Sequence, residues 1–288
     1  MRIGLIANQD AGDGTPEQLI IAAILRHGHV LRAVASPADG LARLPLDGLD
    51  LVVVAGGDGT VGSMAATMPD RQLPFAVLPI GTANNIATSL GVPADVDAAI
   101  DQWTSSRVRP FDIGVATGPW GERRFVESVG GGLVAHGIVV MDRLHYRSPT
   151  QEQQLQRARH AHADLLSEFA PVTWQLALDG TVVEAGLLLL ELLNVARIGP
   201  SFALADASPF DGAFTIAGAG QDQRTALAEW IRSGAEGFAP GMLTWQAREV
   251  VITRCDRLHL DDEVTDVEGV TSVTLRLDTG AVAALVPR

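Results

Sequence analysis

Residues 49–60 read LDLVVVAGGDGT, an apolar run that stops at a cluster of glycines around Asp58. A short apolar run that ends in turn residues is typical of a strand buried on both faces, as in a parallel sheet. Glycines directly after such a strand indicate a tight loop, and the chain beyond them returns to a helical pattern. This stretch therefore predicts a strand, a glycine loop and a helix, in that order.

The same pattern occurs on both sides of this stretch. Residues 2–7 form an apolar run before a loop at residues 8–14, and a helix with Pro16 at its first position follows. Residues 75–80 (FAVLPI) precede the loop 81–85 (GTANN) and a short helix. Strands alternating with helices through about Trp103 predict an α/β domain with a doubly wound, Rossmann-like and mainly parallel sheet.

The pattern changes after Asp112. Residues 173–183 (TWQLALDGTVV) alternate apolar and polar side chains around an Asp-Gly pair, which is typical of a β-hairpin. Helices are predicted near residues 149–169 and 223–233. We therefore expect an α/β domain over residues 1–115 and a β-rich, β-sandwich domain over residues 116–275, with a strand at 276–288 returning to the first domain.

Charge and composition exclude several classes of protein. The net charge is 21 − 34 = −13, and every basic residue is an arginine, so chemistry that needs a lysine is excluded. A strongly acidic chain is also disfavoured as a nucleic-acid binder. Cys255 is the single cysteine, which fits a reducing compartment. The sequence predicts a cytoplasmic protein, with transient contact at a membrane left open and the oligomeric state undetermined.

The glycine loops are candidates for phosphate binding. Ligands of open α/β sheets bind at the carboxyl ends of the strands, where both Gly56–Thr60 and Gly81–Asn85 are predicted to lie. Glycines let the backbone approach phosphate oxygens, and the N–H groups at a helix N-terminus donate to them. Asp58 does not suit phosphate itself, but it suits a proton or a metal ion. The alternative is an ordinary tight turn, in which Asp-Gly is common.

Together, the two loops resemble the diacylglycerol kinase catalytic domain family, which contains bacterial lipid kinases. The resemblance rests on Gly56–Thr60 together with residues 79–87 (PIGTANNIA) and 90–91 (LG). The first motif also occurs in NAD kinases, whereas Gly-Thr-x-Asn is characteristic of the lipid-kinase branch. The resemblance implies a kinase that transfers the γ-phosphate of ATP, with Mg²⁺, to a lipid carrying a free hydroxyl, such as diacylglycerol. It implies an NAD kinase/diacylglycerol kinase-like fold, in which the β-rich domain binds the lipid.

The resemblance also assigns residues. The nucleotide-binding positions lie in three loops: Asn8, Gly12, Gly56, Gly57, Asp58, Gly59, Thr60, Gly81, Thr82, Asn84 and Asn85. An acidic pair, Asp261 and Glu263, is implied to supply the base, and Asp58 is the rival base. We expect the pair to lie on a strand, where residues two apart face the same way. Asp211 is implied to hold a structural Mg²⁺ with backbone carbonyls of Ser208 and Ala213. The alternatives are a solvated acidic turn and a plain hairpin turn.

Four positions depart from the family pattern. Gln9 stands where proline is usual, Ala11 where serine is common, Asn85 where aspartate is frequent, and Asp262 where the acidic motif has glycine. An aspartate at position 262 is expected either to restrict the turn or to add charge beside the base. The departures at Gln9, Asn85 and Asp262 motivate one alternative function, a nucleotide-binding regulatory protein with impaired catalysis. A second alternative, an NAD kinase, is motivated by the shared glycine motif and the two-domain organisation.

Overall fold

The computed structural model describes residues 1–12, 14–69, 71–144, 150–255, 257–267 and 272–288. The chain divides into two units. The first contains residues 1–112 and 279–288, and the second contains residues 113–278.

The first unit is an α/β domain around a parallel sheet. Its elements in chain order are β1 (Arg2–Ala7), α1 (Glu17–Arg26), β2 (Val30–Ala35), β3 (Leu51–Gly56), α2 (Asp58–Thr67), β4 (Phe75–Pro79), α3 (Asn85–Ser89) and α4 (Val96–Asp101). The strand order is β2-β1-β3-β4, and every neighbouring pair is parallel. Near the C-terminus, Ala284 pairs with Phe75 of β4, also in parallel.

Burial explains why the apolar run at residues 51–56 forms a central strand. All six residues of β3 are buried. Helices α1 and α4 cover the face that carries Leu51, Val53 and Ala55, and α2 also contacts this strand. Each fully buried aliphatic side chain contributes roughly 1.5–3 kcal/mol. The carboxyl ends of β1, β3 and β4 lie at one edge of this sheet, so the loops that follow these strands are neighbours.

The second unit is mainly antiparallel. Its elements are β5 (Arg107–Gly118, which enters from the first unit), β6 (Gly121–Phe125), β7 (Ser128–Gly132), α5 (Leu133–Leu144), α6 (Gln151–Glu168), β8 (Val172–Leu178), β9 (Thr181–Leu187), β10 (Leu189–Leu193), β11 (Phe214–Ala219), α7 (Arg224–Arg232), β12 (Leu243–Ala247), β13 (Glu249–Arg254), β14 (Arg257–Leu260), β15 (Glu263–Asp266) and β16 (Val273–Val286, whose end lies in the first unit). One set of strands has the order β16-β13-β8-β9. The other sheet has the order β12-β11-β10-β7-β14-β15.

An apolar core fills the space between these two layers of strands. Trp174 of β8 and Val250 of β13 pack in one cluster with Leu190, Phe214 and Leu258 of the six-stranded sheet. The opposite face of the six-stranded sheet is covered by α5, α6 and α7. The predicted fold class, an α/β domain followed by a β-rich sandwich, is confirmed, and the sandwich carries an additional layer of helices.

The helices of the second unit match their sequence signals in part. Thr150 caps α6, because its hydroxyl accepts the N–H of Gln153 at 3.2 Å. Pro149, at the start of the predicted helix, lies outside the described residues. The sequence pattern did not predict α5 at Leu133–Leu144. Across the part of the chain that the structure describes, no helix is both long enough and apolar enough to span a membrane.

Candidate functional site

The two glycine loops of the first unit touch each other through their backbones. A Cβ atom added to Gly57 would lie 3.2 Å from the Cα of Gly81, and one added to Gly81 would overlap Gly57. Such close contact requires that neither residue has a side chain. The glycines of the two motifs are therefore needed for packing the loops together, in addition to any contact with a ligand.

Asp58 fastens one loop to the other. It lies in the first turn of α2, and its Oδ1 accepts the N–H of Ile86 at 2.9 Å, in the first turn of α3. The N–H groups of Asn84 and Asn85 also hydrogen-bond to this carboxylate. Burial raises the pKa of Asp58 above its ordinary value, while these N–H groups act in the opposite direction. The carboxylate thus caps a helix that belongs to the neighbouring loop.

Two asparagines complete the connections. Asn84 has a left-handed backbone, with φ 52°, and its side chain accepts the N–H of Gly81 at 2.9 Å and donates to the Gly81 carbonyl at 2.8 Å. Asn8, at the end of β1, donates to the Thr60 hydroxyl at 2.8 Å. The side chains of Asn8 and Asp58 therefore join the three predicted loops, and the Asn84 side chain closes its own loop.

The remaining predicted residues present groups that suit an anion. No side chain caps α2, whose N-cap residue is Gly57, so the N–H groups of Gly59 and Thr60 have no acceptor within the helix. Thr60 accepts from Asn8 and keeps its own hydroxyl hydrogen for donation. Thr82 is half-buried and Gly12 is exposed, whereas Gly56 and Asn85 are buried. This helix N-terminus fits a phosphate group.

Replacing Asp58 by alanine tests the fastening role. We expect Asp58→Ala to lower the free energy of unfolding by about 1–2 kcal/mol, the usual cost of a lost helix cap. Because the loops separate, this variant should also bind less tightly to ATP, the nucleotide that the family resemblance implies. Asp95→Ala is the matched control, since Asp95 caps α4 by accepting the N–H of Ala98 at 2.9 Å. Urea unfolding and calorimetric ATP titration measure both effects. Equal ATP affinity in the two variants would contradict the role.

The acidic motif lies in the second unit, and its two acids diverge. Asp261 and Asp262 form the loop of the β14–β15 hairpin, in which Leu260 pairs with Glu263. The expectation that Asp261 and Glu263 share a strand face was wrong, because Asp261 lies in the turn. Glu263 is exposed and forms an ion pair with Arg123 of β6.

The Asp261 carboxylate is held by three consecutive backbone N–H groups. Oδ1 lies 2.7 Å from the N–H nitrogen of Glu127 and 3.2 Å from those of Val126 and Ser128, and Oδ2 lies 2.9 Å from that of Val126. Burial raises the pKa of Asp261, and the three N–H groups act against this rise. The group is therefore a fixed, largely desolvated carboxylate.

The backbone of the turn shows that position 262 does not require glycine. The residue with a left-handed backbone is Asp261, with φ 51°, and not Asp262. Aspartate tolerates this conformation better than most residues, because its short side chain can bond locally. The departure from the family pattern at position 262 therefore adds no backbone strain at that residue.

Sequence reasoning missed a buried polar pair beside this turn. Glu191 of β10 and His259 of β14 are 0% and 1% exposed, and the His259 Nε2 lies 3.0 Å from the Glu191 carboxylate. One signal was present in the sequence, since Glu191 is the only charged residue within the leucine-rich stretch 187–193. A charge in a buried strand requires a partner.

Asp211 lies in an exposed turn before β11, where its Oδ1 accepts the N–H of Ala213 at 3.1 Å. Its assignment to Mg²⁺ stays a prediction. Among the residues that the structure describes, no group of three or more His, Cys, Asp or Glu side chains is arranged to hold a metal ion.

Comparisons with known proteins found a family model that matches the first part of the chain and relatives that match most of it. A model of the diacylglycerol kinase catalytic domain matches residues 2–116. The diacylglycerol kinase of Bacillus subtilis is 28% identical over 219 residues, which cover 74% of this chain and 67% of the relative. The diacylglycerol kinase of Mycobacterium tuberculosis is 29% identical over 278 residues, which cover 90% of this chain and 85% of that protein.

The fold has a counterpart among solved structures. The crystal structure of a diacylglycerol kinase from Bacillus anthracis aligns with a TM-score of 0.72 over 99% of this chain and 96% of the other, at 18% identity. This likeness concerns the fold alone. At the level of sequence, residues 2–116 of this chain match the diacylglycerol kinase catalytic domain family.

Proposed function

We propose that this chain is an ATP-dependent lipid kinase that transfers the γ-phosphate of ATP to the hydroxyl of a lipid such as diacylglycerol. One observation carries the proposal. The Gly56–Thr60 and Gly81–Asn85 loops, joined by Asp58, leave the N-terminus of α2 without a side-chain cap, in a domain that matches this family. The relatives named diacylglycerol kinase support the choice of a lipid as acceptor.

The nucleotide is assigned to the joined loops. The N–H groups of Gly59 and Thr60, together with the Thr60 hydroxyl, donate to phosphate oxygens. Gly12, Thr82 and Asn85 complete the predicted binding positions. Mg²⁺ usually binds through substrate phosphates and one or two carboxylates, and it neutralises charge on the phosphates. We assign it to the nucleotide, and a separate structural Mg²⁺ to Asp211.

Asp261 is the proposed base. In the reaction, the lipid oxygen forms a bond to the γ-phosphorus, the bond from that phosphorus to the bridging oxygen breaks, and ADP leaves. The hydroxyl proton passes to the Asp261 carboxylate, whose Oδ2 has lone-pair capacity beyond the Val126 N–H. Burial, which raises the pKa of Asp261, brings it nearer to the pH of the cell, where a general base works best.

The other two acids receive supporting roles. Asp58 fastens the loops, and Glu263 fixes the hairpin through its ion pair with Arg123. Because a long-chain lipid substrate resides in a membrane, we propose a cytoplasmic protein that contacts the membrane transiently through its β-rich domain.

Transfer of labelled γ-phosphate tests the proposal. Purified protein is incubated with labelled ATP and Mg²⁺, in parallel with mixed micelles of diacylglycerol, phosphatidylglycerol, a sphingoid base or undecaprenol, and with NAD⁺. We expect a labelled lipid, and chromatography names the acceptor. Labelled NADP⁺ would instead identify an NAD kinase. ATP binding without any labelled product would identify a regulatory protein, and either result would overturn the proposal.

A further inference from the structure

The buried pair Glu191 and His259 exists because of a glycine between them. In the six-stranded sheet, Gly130 of β7 lies opposite Glu191 on one side and opposite His259 on the other. A Cβ atom at Gly130 would overlap the Glu191 carboxyl group. The two side chains therefore meet across the central strand, over the space that Gly130 leaves.

Both ring nitrogens of His259 face hydrogen-bond acceptors. Nε2 lies 3.0 Å from each oxygen of Glu191, and Nδ1 lies 2.8 Å from the backbone carbonyl oxygen of Asp261. A ring nitrogen that faces an acceptor must carry hydrogen, so the ring is a double donor and the pair is an imidazolium–carboxylate. Burial alone would lower the pKa of His259, but the charge and hydrogen bond of Glu191 raise it.

The ring therefore anchors the backbone of the turn that carries Asp261. That residue has the left-handed φ of 51°, and its carboxylate is held by the N–H groups of residues 126–128. Its own N–H donates to the carbonyl of Ser128 at 2.9 Å, and its carbonyl accepts from His259. Two backbone anchors and one side-chain anchor thus determine where the carboxylate lies.

We propose that His259 and Glu191 are positioning residues that hold Asp261 in place to accept the substrate proton. The proposal rests on the proposed function, in which Asp261 is the base. His259 supplies the anchor. Glu191 fixes the ring so that Nδ1 presents its hydrogen to the turn.

The test compares three variants. In His259→Gln, the side-chain amide can donate to the Asp261 carbonyl or to the Glu191 carboxylate, but not to both. The variant therefore loses either the bond to the turn or the bond that fixes the side chain. In Glu191→Gln, the new amide can donate to a neutral His259 ring, whose Nδ1 hydrogen still binds Asp261, so the anchor is kept. His162→Gln is the control, because His162 is also buried in this unit at 2% exposure and bonds to the Ala158 carbonyl instead.

Two readouts are measured on the whole chain. We expect His259→Gln to lower kcat for lipid phosphorylation more than tenfold, with the KM for lipid changed less than threefold. Hydrogen exchange at the amides of residues 126–128 should also become at least tenfold faster, whether or not a lipid is phosphorylated. Glu191→Gln, the conservative variant that keeps a hydrogen bond to His259, should hold both quantities near their wild-type values, and His162→Gln should leave both unchanged.

The outcomes separate this proposal from the proposed function. If the wild type phosphorylates no lipid, the proposed function fails, and the exchange of residues 126–128 still decides whether His259 holds the turn. If the wild type is active and His259→Gln keeps both its kcat and its amide protection, the positioning role alone is overturned. Equal losses in His162→Gln would also overturn it.

The charge of the pair predicts a pH dependence. Because the pKa of His259 is raised above 6.5 in the folded chain, its stabilising contribution is full below about pH 6.5 and is lost as pH rises through the raised value. Glu191, Asp261 and His162 are the titratable groups that influence it electrostatically, and the lowered pKa of buried His162 acts on stability only at acidic pH. The difference in unfolding free energy between the wild type and Glu191→Gln should therefore shrink above pH 6.5. A constant difference would contradict the charged pair.

Discussion

Lipid phosphorylation by Asp261→Asn is expected to fall by about 10²–10⁴-fold in kcat, the usual contribution of a general base. An amide has no pKa suited to proton removal, but its oxygen still accepts the N–H groups that hold the Asp261 carboxylate. The turn should therefore keep its structure. Because we assign the ATP-binding site to residues 2–116, the affinity for ATP should stay within about twofold of the wild-type value.

Asp262→Asn is the matched control for this substitution. Asp262 is the adjacent residue of the same hairpin loop and is exposed, so removal of its charge should change kcat little. Steady-state kinetics with the identified lipid and calorimetric ATP titration measure the two effects. A kcat near the wild-type value in Asp261→Asn, together with loss of activity in Asp58→Asn, would transfer the role of base to Asp58.

The second large effect is expected from Gly81→Ala. An added methyl group would overlap the backbone of Gly57, and backbone atoms cannot move aside as a flexible side chain can. Overpacking of this kind costs about 1–3 kcal/mol. Separation of the loops would also displace the uncapped N-terminus of α2, so we expect ATP binding to become undetectable.

Gly186→Ala is the control for this prediction. Gly186 lies in β9, and a Cβ atom there would have Pro171 as its nearest neighbour at 3.9 Å, which is ordinary contact. This variant should keep both its stability and its ATP affinity. Urea unfolding and ATP titration of the two variants decide the matter, and full ATP affinity in Gly81→Ala would show that close contact between the loops is not needed.

The order of elements in the first unit could be predicted because its signals are local. The apolar run before Gly56 and the glycines after it indicate a strand and a loop without knowledge of the rest of the chain. The same is true of the Asp-Gly hairpin at 179–180, which joins β8 and β9 as predicted. The two glycine motifs together were enough to indicate a resemblance to the diacylglycerol kinase catalytic domain family.

The candidate site was only partly predictable, since sequence position indicates which residues are near the sheet edge but not what they bind. The sequence predicts that Asp58 is a base or a metal ligand, whereas in the structure it caps α3. The sequence predicts that Asp261 and Glu263 act as a pair. In the structure, Asp261 accepts the N–H groups of residues 126–128, and Glu263 pairs with Arg123. A hydrogen-bond partner more than 130 positions away leaves no trace in local periodicity.

The sequence by itself determined the α/β alternation, the β-rich second half, the paired glycine loops and the resemblance to a family. Each depends on side-chain periodicity or on the conformational freedom of glycine, which are properties of short segments. Only the tertiary structure decided that Asp58 joins two loops, that Asp261 lies in an N–H cradle, and that Glu191 meets His259 over Gly130. The physical reason is that buried polar groups must find partners, and folding supplies those partners from distant segments.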